Sequence, residues 1–305
     1  MRVFVTGASG HIGSAVVPEL LQAGHQVVGL ARSDGSAETL EAAGAEVRRG
    51  DLDDLDGLRE AAGAADGVIH LAFKHDLMGA NDFAGAVAAD LAAIQAMASA
   101  LEGTEKPLVT TSGTLMLMFA GITGRPGTEA DYAAGGPRVG AENFVTALAE
   151  RGVRSSLVRL PPIVHSSLDH HGFLHILIGI ARQSGVSAYV DDGANRWPSV
   201  HTLDAAQVYR LALEAAPAGS RLHAVADEGV AFRDIAAAIG RGTGVPVASI
   251  SASDAAERFA FLGGFVGVDN PASSEVTRKV LGWEPAYPGL IDDLDHGHYF
   301  EPSAS

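Results

Sequence analysis

Short apolar runs rich in β-branched residues alternate with alanine-rich stretches along the first 160 residues of the chain. The runs lack a polar side, which is typical of strands buried on both faces of a sheet. The stretches between them repeat apolar residues every three or four positions, which predicts helices with one buried face. The predicted strands are Val3–Thr6, Gln26–Leu30, Glu46–Arg49, Gly67–Ala72, Leu108–Thr111 and Ser155–Arg159. The predicted helices include Ile12–Gln22, Leu58–Ala64, Ala86–Leu101 and Ala141–Glu150.

This alternation predicts βαβ units with right-handed crossovers, and therefore an α/β fold built on a parallel sheet. Pro18 conflicts with the pattern because it removes a hydrogen bond inside the first helix, so we expect a kink or an early-turn position there. After Pro161-Pro162 the alternation stops, which predicts a larger unit over 1–163 and a smaller substrate-binding region over 164–305. Within the second region, Leu174–Arg182 is predicted as a helix, and the predicted helix 204–215 is expected to return to the first unit.

Composition limits the classes of function. The formal net charge of −16 is spread along the chain, which argues against a nucleic-acid partner. No apolar run reaches the roughly 18 residues needed to cross a bilayer, and the first strand begins too early for a signal peptide. The chain has no cysteine, which fits a reducing compartment and excludes thiolate metal sites. We therefore expect a cytoplasmic protein with a small-molecule substrate and no membrane partner, and a homodimer stays open.

A glycine-rich turn directly follows the first predicted strand. It reads Thr6-Gly7-Ala8-Ser9-Gly10-His11-Ile12-Gly13, so the spacing is G-x-x-G-x-x-G at the start of a helix. Gly7 permits the tight turn, Gly10 lets the backbone approach a pyrophosphate, and Gly13 lets the helix pack on the strand. In a βαβ unit this motif predicts a doubly wound Rossmann sheet that binds a dinucleotide, with Ser9, His11 and Ile12 completing the phosphate loop.

The end of the second strand bears on the choice of cofactor. An NAD site has a carboxylate there to bind the adenosine 2′-hydroxyl, whereas this chain has Ala31 followed by Arg32 and Ser33. A guanidinium and a hydroxyl suit a 2′-phosphate, so the sequence predicts a preference for NADP(H). Asp34 keeps NAD(H) open, because a shift of one residue would bring its carboxylate to the ribose.

Further motifs lie at the other strand ends: Gly50-Asp51-Leu52, His70-Leu71-Ala72, Thr110-Thr111-Ser112, Arg159-Leu160-Pro161-Pro162 and Trp197-Pro198-Ser199-Val200-His201. With these in order, the chain resembles the extended short-chain dehydrogenase/reductase superfamily, in its NAD-dependent epimerase/dehydratase branch. The resemblance implies that Asp51 and Leu52 contact adenine. It places Leu71, Ala72 and Phe73 along the ribose and pyrophosphate, and Pro161, Pro162, Ile163 and Val164 at the nicotinamide.

The same resemblance implies a catalytic role for Ser112, which would hydrogen-bond the substrate oxygen as negative charge develops. It also exposes a departure, because the family's Y-x-x-x-K motif is absent. The lysines are Lys74, Lys106 and Lys279, and none follows a tyrosine by four residues. Alignment of the following helix puts Arg138 in the place of the lysine and Ala134 in the place of the tyrosine.

Arg138 can supply the positive charge and bind the ribose, but its high pKa makes it useless as a proton relay. The proton donor must therefore lie elsewhere. Tyr132 could reach the site from the glycine-containing loop that follows it, and His75 and His165 follow the fourth strand and Pro161-Pro162. A histidine with a pKa near neutrality is a suitable donor to an alkoxide. No metal site is expected, because Asp169, His171 and His175 lack a clear further ligand.

The leading hypothesis is an NADP(H)-dependent oxidoreductase that transfers a hydride to or from a small carbonyl or hydroxyl compound. A catalytically silent NADP(H)-binding sensor or regulator is the alternative, since the tyrosine–lysine pair is missing. A nucleotide-sugar epimerase or dehydratase is a further alternative. It would need cations for a second diphosphate, and the later region offers only scattered arginines, such as Arg182, Arg196 and Arg241.

Overall fold

The computed structural model describes residues 1–79, 82–122 and 124–301. The strands, in chain order, are β1 (Arg2–Thr6), β2 (Gln26–Ala31), β3 (Glu46–Arg49), β4 (Gly67–His70), β5 (Pro107–Gly113), β6 (Arg154–Leu160), β7 (Ile163–His165), β8 (Ser187–Val190), β9 (Arg196–His201), β10 (Ser220–His223), β11 (Asp227–Ala231) and β12 (Val247–Ile250). The α-helices are α1 (Gly13–Gln22), α2 (Asp34–Ala42), α3 (Leu55–Ala64), α4 (His75–Gly79), α5 (Phe83–Ser99), α6 (Val139–Ala147), α7 (Phe173–Ser184), α8 (Thr202–Ala215), α9 (Phe232–Thr243), α10 (Ala255–Phe259), α11 (Glu275–Leu281) and α12 (Leu290–Asp295).

Seven parallel strands form the main sheet, in the order β10-β6-β5-β4-β1-β2-β3. The strand order changes direction between β1 and β4, and ligands of open α/β sheets bind at the carboxyl ends of the strands at such a point. The α/β class and the doubly wound parallel sheet predicted from the sequence are therefore confirmed. Helix α1 continues through Pro18 to Gln22. Strand β4 ends at His70, two residues earlier than predicted, so Leu71 and Ala72 belong to the following loop.

Strand β1 shows why both faces of the sheet must be covered. Its Val3 and Val5 face one core, which α1 and α8 complete, while Phe4 faces a second core, completed by α3 and α5. Helix α8 contributes Tyr209 to the first core, and this side chain is fully buried. The division of the chain at residue 163 stays a prediction.

The later part of the chain builds a separate core and two small sheets. Strands β7, β9 and β11 form one sheet, and β8 pairs with β12 in the other. Trp197 and Phe232 are fully buried in this core, among residues of α7, α9 and α12. In the described part of the chain, the helices are too short or too polar to span a bilayer.

Candidate active site

The glycine loop between β1 and α1 has no room for side chains at two of its positions. Gly7 has a φ of 67°, and a Cβ built on it would lie 2.7 Å from the backbone nitrogen of Ala72 in the loop after β4. A Cβ on Gly13 would lie 2.2 Å from the carbonyl oxygen of Gly7. The backbone amides of His11 and Ile12 donate to no acceptor among the described residues. The loop therefore has the tight turn and the available N–H groups that a pyrophosphate requires.

Arg32 lies just beyond β2, where the adenosine ribose of a dinucleotide belongs. Its guanidinium is 67% exposed and lies 3.3 Å from Asp76 Oδ2 at the start of α4. Ser33 caps helix α2 by accepting the amide hydrogen of Ser36. A second cation stands at the same corner, because Arg49 at the end of β3 binds the carboxylate of Asp34 at 2.6 Å. Sequence reasoning did not identify Arg49.

The predicted adenine contacts follow β3. Asp51 Oδ1 accepts the amide hydrogen of Asp53 at 3.0 Å, which closes a tight turn. Leu52 is buried at the edge of the core that holds Leu58. These contacts give both residues a local structural role, and their contact with adenine stays a prediction.

Arg138 lies at the N-terminus of α6 and reaches back to the ends of β4 and β5. Its Nη2 donates to the carbonyl oxygen of Thr111 at 2.8 Å and lies 3.3 Å from Asp90 Oδ2. The guanidinium carbon lies 4.5 Å from the centre of the Phe73 ring, a cation–π contact. Its Nε is buried without a partner among the described residues, so a donor is left over for a bound hydroxyl.

His75 completes this group, because its ring packs against the Phe73 ring in a T-shaped arrangement, with the ring centres 5.4 Å apart. The side chain is accessible to solvent. Desolvation, and then the positive charge of Arg138, lower the pKa of His75. Leu71, Ala72, Phe73 and His75 thus form one segment that runs from Gly7 to Arg138.

The hydroxyl of Ser112 is engaged within the protein, and the catalytic role expected from the resemblance stays a prediction. Its side chain is only 4% exposed, and its hydroxyl donates to Glu142 Oε1 at 2.5 Å. Glu142 is itself buried and paired with Arg159, whose Nη2 lies 2.6 Å from Oε2. A serine has a single hydroxyl proton, so in this arrangement Ser112 cannot also donate to a substrate oxygen.

Two of the three candidate proton donors are also placed otherwise than expected. The ring of Tyr132 is 61% exposed and stacks against Arg221, with the guanidinium 5.2 Å from the ring centre, so the cation beside it is not Arg138. His165 is completely buried, and its Nδ1 lies 2.8 Å from Asp293 Oδ2. The Asp293 contact holds this ring in the interior, and a role for His165 as proton donor stays a prediction.

The residues after β6 lead from the main sheet into the later region. Ile163 and Val164 belong to β7, which pairs with β9 rather than with the main sheet. Ile163 is buried in the later core, and Val164 packs against the core of the main sheet. Pro161 and Pro162 form the connection, and the contact of these four residues with a nicotinamide stays a prediction.

Arg182, Arg196 and Arg241 of the later region each bind a different partner in the protein. Arg196 makes an ion pair with Asp269 through two nitrogens, at 3.0 and 2.8 Å. Arg241 binds Asp295 at 2.8 Å, and Arg182 donates to the carbonyl oxygen of Phe300. Each cation therefore has its own partner.

The histidine-rich loop after β7 is held by Asp169. Its carboxylate accepts the amide hydrogens of His171 and Gly172, and its carbonyl oxygen contacts His175 Nε2 at 2.7 Å. Within the described ranges, no three histidine or acidic side chains gather closely enough to hold a metal ion. The loop is therefore organised by hydrogen bonds.

Two buried carboxylates, Asp90 and Glu142, were missed by sequence reasoning. Both lie on helices whose other buried residues are small or apolar. A charged side chain on the buried face of a helix needs a partner of opposite charge. A carboxylate among small and apolar positions was therefore the sequence feature that could have identified these two residues. Arg138, the partner of Asp90, is 48 residues away in sequence, and Arg159, the partner of Glu142, is 17 residues away on a different element. The sequence pattern alone therefore does not identify these pairs.

Comparison with known proteins places the chain in context. It matches the NAD dependent epimerase/dehydratase family over residues 3–225. A Schizosaccharomyces pombe protein of uncharacterised function is 46% identical over 302 residues, which cover 98% of this chain and 100% of that protein. A 2-alkyl-3-oxoalkanoate reductase of Stenotrophomonas maltophilia is 30% identical over 72% of this chain and 67% of its own length. The structure of a dTDP-glucose 4,6-dehydratase from Streptomyces venezuelae with NAD bound is similar in fold, with a TM-score of 0.75 at 19% identity over 98% of this chain and 96% of that one.

Proposed function

Because the chain belongs to the NAD-dependent epimerase/dehydratase family, we propose that it is an NADP(H)-dependent oxidoreductase acting on a small carbonyl or hydroxyl compound. One observation carries this proposal. The ring of Phe73 bears the guanidinium of Arg138 on its face and also packs against the accessible ring of His75 in a T-shaped arrangement. A cation and a protonatable group thus stand together beside the segment after β4 that approaches the glycine loop, and a carbonyl reduction needs both.

The cofactor would be held by groups along the carboxyl edge of the sheet. The N–H groups of the loop around Gly10 suit the pyrophosphate, and Arg32 suits a 2′-phosphate. The buried Nε of Arg138, which has no partner in the described part of the chain, suits a ribose hydroxyl. When bound, the nicotinamide supplies or accepts the hydride.

The side chains provide the remaining chemistry. In the direction of reduction, the charge of Arg138 stabilises negative charge that develops on the substrate oxygen, and protonated His75 donates the proton. In the direction of oxidation, neutral His75 accepts the proton of the hydroxyl group. Ser112 orients Glu142 and Arg159 beneath this site through its hydrogen bond.

The test is a reductase assay with a panel of aldehydes and ketones, β-keto acids included, using NADPH and NADH in parallel. The relative named 2-alkyl-3-oxoalkanoate reductase motivates the β-keto acids. We expect NADPH consumption that depends on the substrate and falls at least tenfold in Arg138→Met. Tight NADPH binding without turnover across the panel contradicts the proposal.

That contrary outcome defines the second candidate, a catalytically silent NADP(H)-binding sensor. A specific observation favours this candidate: the hydroxyl of Ser112 donates its hydrogen bond to Glu142, and His165 is completely buried. Two groups that catalysis was expected to use are therefore engaged in the protein interior.

A nucleotide-sugar epimerase or dehydratase ranks third. The fold is similar to that of a dTDP-glucose 4,6-dehydratase, which supports this reading. Arg196 and Arg241, however, are bound to different carboxylates, Asp269 and Asp295. A second diphosphate would have to displace one of these partners, so isomerisation or dehydration of UDP- and dTDP-sugars is the assay that would favour this function.

A further inference from the structure

A buried row of polar side chains crosses the main sheet beneath the candidate site. Thr6 Oγ1 lies 2.7 Å from His70 Nδ1, and His70 Nε2 lies 3.2 Å from Asp90 Oδ1. The other carboxylate oxygen of Asp90 lies 3.3 Å from Arg138 Nη2. Thr6, His70 and Asp90 are each at most 2% exposed. Three different strands or helices therefore meet in one continuous hydrogen-bonded chain that ends at the arginine.

The chemistry of these groups fixes the direction of the hydrogen bonds. An ionised carboxylate only accepts, so the proton on His70 must be on Nε2, which points at Asp90. In the neutral imidazole, His70 Nδ1 is then an acceptor, and the hydroxyl of Thr6 donates a hydrogen bond to it. Burial on its own would raise the pKa of Asp90, but the hydrogen bond from His70 and the charge of Arg138 lower it, so Asp90 is a carboxylate.

We infer that Asp90 is a positioning residue, which acts as the buried counterion that aims Arg138 at the ribose and the reacting carbonyl. This inference rests on the proposed function, because it assigns a role within that same site. An arginine has a long, flexible stem, and its guanidinium is useful here only in one orientation. Asp90 and the Thr111 carbonyl both bind Nη2 of Arg138, which leaves its Nε without a partner among the described residues.

The row also connects the two ends of the cofactor site. Thr6 immediately precedes Gly7, and its Oγ1 lies 3.4 Å from the amide nitrogen of Ala72 in the loop that contacts Gly7. A displacement of Asp90 is therefore transmitted both to the arginine and to the base of the phosphate loop. The structure assigns Asp90 to the cofactor site even though it lies in the middle of α5.

A double-mutant cycle tests this assignment through dinucleotide binding. NADPH affinity is measured by fluorescence titration of the full chain for wild type, Asp90→Asn, Arg138→Met and the double variant. We expect Asp90→Asn to weaken binding roughly five- to thirtyfold in the wild-type background and less than about twofold when Arg138 is already replaced. Equal losses in the two backgrounds, or no loss in wild type, overturn the inference. A wild type that binds neither NADPH nor NADH overturns the proposed function as well.

A matched control separates positioning from loss of a buried carboxylate. Glu129 is buried and accepts hydrogen bonds from the backbone and the hydroxyl of Thr277, outside the site. We expect Glu129→Gln to lower the thermal unfolding temperature and to leave NADPH affinity within about twofold. If Asp90→Asn does not fold, Asp90→Glu replaces it in the same cycle. It keeps the charge but moves it by a methylene, so its loss of affinity must likewise depend on Arg138.

Discussion

The carboxylate of Asp34 is bound by the guanidinium of Arg49 at 2.6 Å, across the ends of β2 and β3. Asp34 is the residue that left NAD(H) open, because its carboxylate could serve the ribose hydroxyls. In the structure its charge faces Arg49, while Arg32 remains 67% exposed at the same corner. Exposed ion pairs are weak. Arg49 therefore favours the orientation in which the Asp34 carboxylate faces it, but does not prevent that carboxylate from turning to a ribose hydroxyl.

The first prediction is that Arg32→Ala weakens NADPH binding by about 1.5–3 kcal/mol, roughly 10- to 150-fold, and leaves NADH binding nearly unchanged. The reason is that a 2′-phosphate loses a charge-assisted hydrogen bond that a 2′-hydroxyl never made. Parallel titrations with both dinucleotides measure the effect. Asp76→Asn is the control, because it removes the partner of Arg32 and retains its guanidinium. Equal losses for the two dinucleotides would refute the preference for NADP(H).

The second prediction concerns Ser112. Since its proton is donated to Glu142, Ser112→Ala removes support from a buried ion pair, and we expect a loss of about 1–3 kcal/mol in the free energy of unfolding. The rate of reduction should fall less than about tenfold. Urea unfolding and single-turnover kinetics on the same preparation measure both. A rate loss on the order of 10²–10³ with unchanged stability would mean that Ser112 turns toward the substrate and acts as an oxyanion donor.

Much of the architecture could be predicted from the sequence because strand burial and glycine spacing are local signals. Strand β3 has the predicted bounds. The family membership inferred from the strand-end motifs is confirmed. Leu71 and Ala72 were assigned to a strand because they are apolar, but the close approach of Ala72 to Gly7 ends the sheet pairing there.

The candidate site could be predicted only in part, because side-chain partners depend on tertiary packing. The sequence places Ser112 at a strand end but does not say that Glu142 takes its proton. It places Arg138 at the lysine position, yet the counterion Asp90 comes from a helix 48 residues away. It likewise offers Tyr132, His75 and His165 as equals, whereas in the structure His165 is buried and the cation beside Tyr132 is Arg221.

The third prediction is a loss of stability in acid. Burial, and then the nearby His165, lower the pKa of His201 to about 4, and burial followed by Arg159 lowers the pKa of His223 to about 3. Between the ordinary histidine value of about 6.5 and these values, the unfolded chain binds more protons than the folded one. The free energy of unfolding should therefore fall as pH falls from 6.5 to 4, by on the order of 2–3 kcal/mol for each histidine.

Urea unfolding at several pH values, with wild type and His201→Phe, checks this. Phenylalanine retains the ring that stacks on Tyr287, at 4.7 Å between ring centres, and does not titrate. The variant should show a shallower dependence of stability on pH over the same range. If its slope equals that of wild type, His201 is protonated in the folded protein and the argument from burial is wrong.

The fourth prediction identifies the proton donor. Reduction needs protonated His75. Desolvation together with Arg138 lowers the pKa of His75, so as pH rises the ring loses its proton at a pH below the ordinary histidine value of about 6.5. The reduction rate of wild type should therefore decline as pH rises through mildly acidic values. His75→Gln should remove that decline and lower the rate at acidic pH by a factor on the order of 10²–10⁴.

His296→Gln is the matched control for His75→Gln, since His296 is an exposed histidine near the end of α12 that contacts only the carbonyl oxygen of Asp292 among the described residues. It should leave the pH profile of the reduction rate unchanged.

Tyr132→Phe tests the remaining exposed donor, because an enzyme that uses a phenol would keep its rate to higher pH than one that uses an imidazole. His165→Gln should act on stability through the lost contact with Asp293, and a change in the pH profile without loss of stability would show that this buried ring exchanges protons with the substrate after all. If His75→Gln and Tyr132→Phe both retain the wild-type profile, water is the proton source, and Arg138 held by Asp90 carries the electrostatic stabilisation.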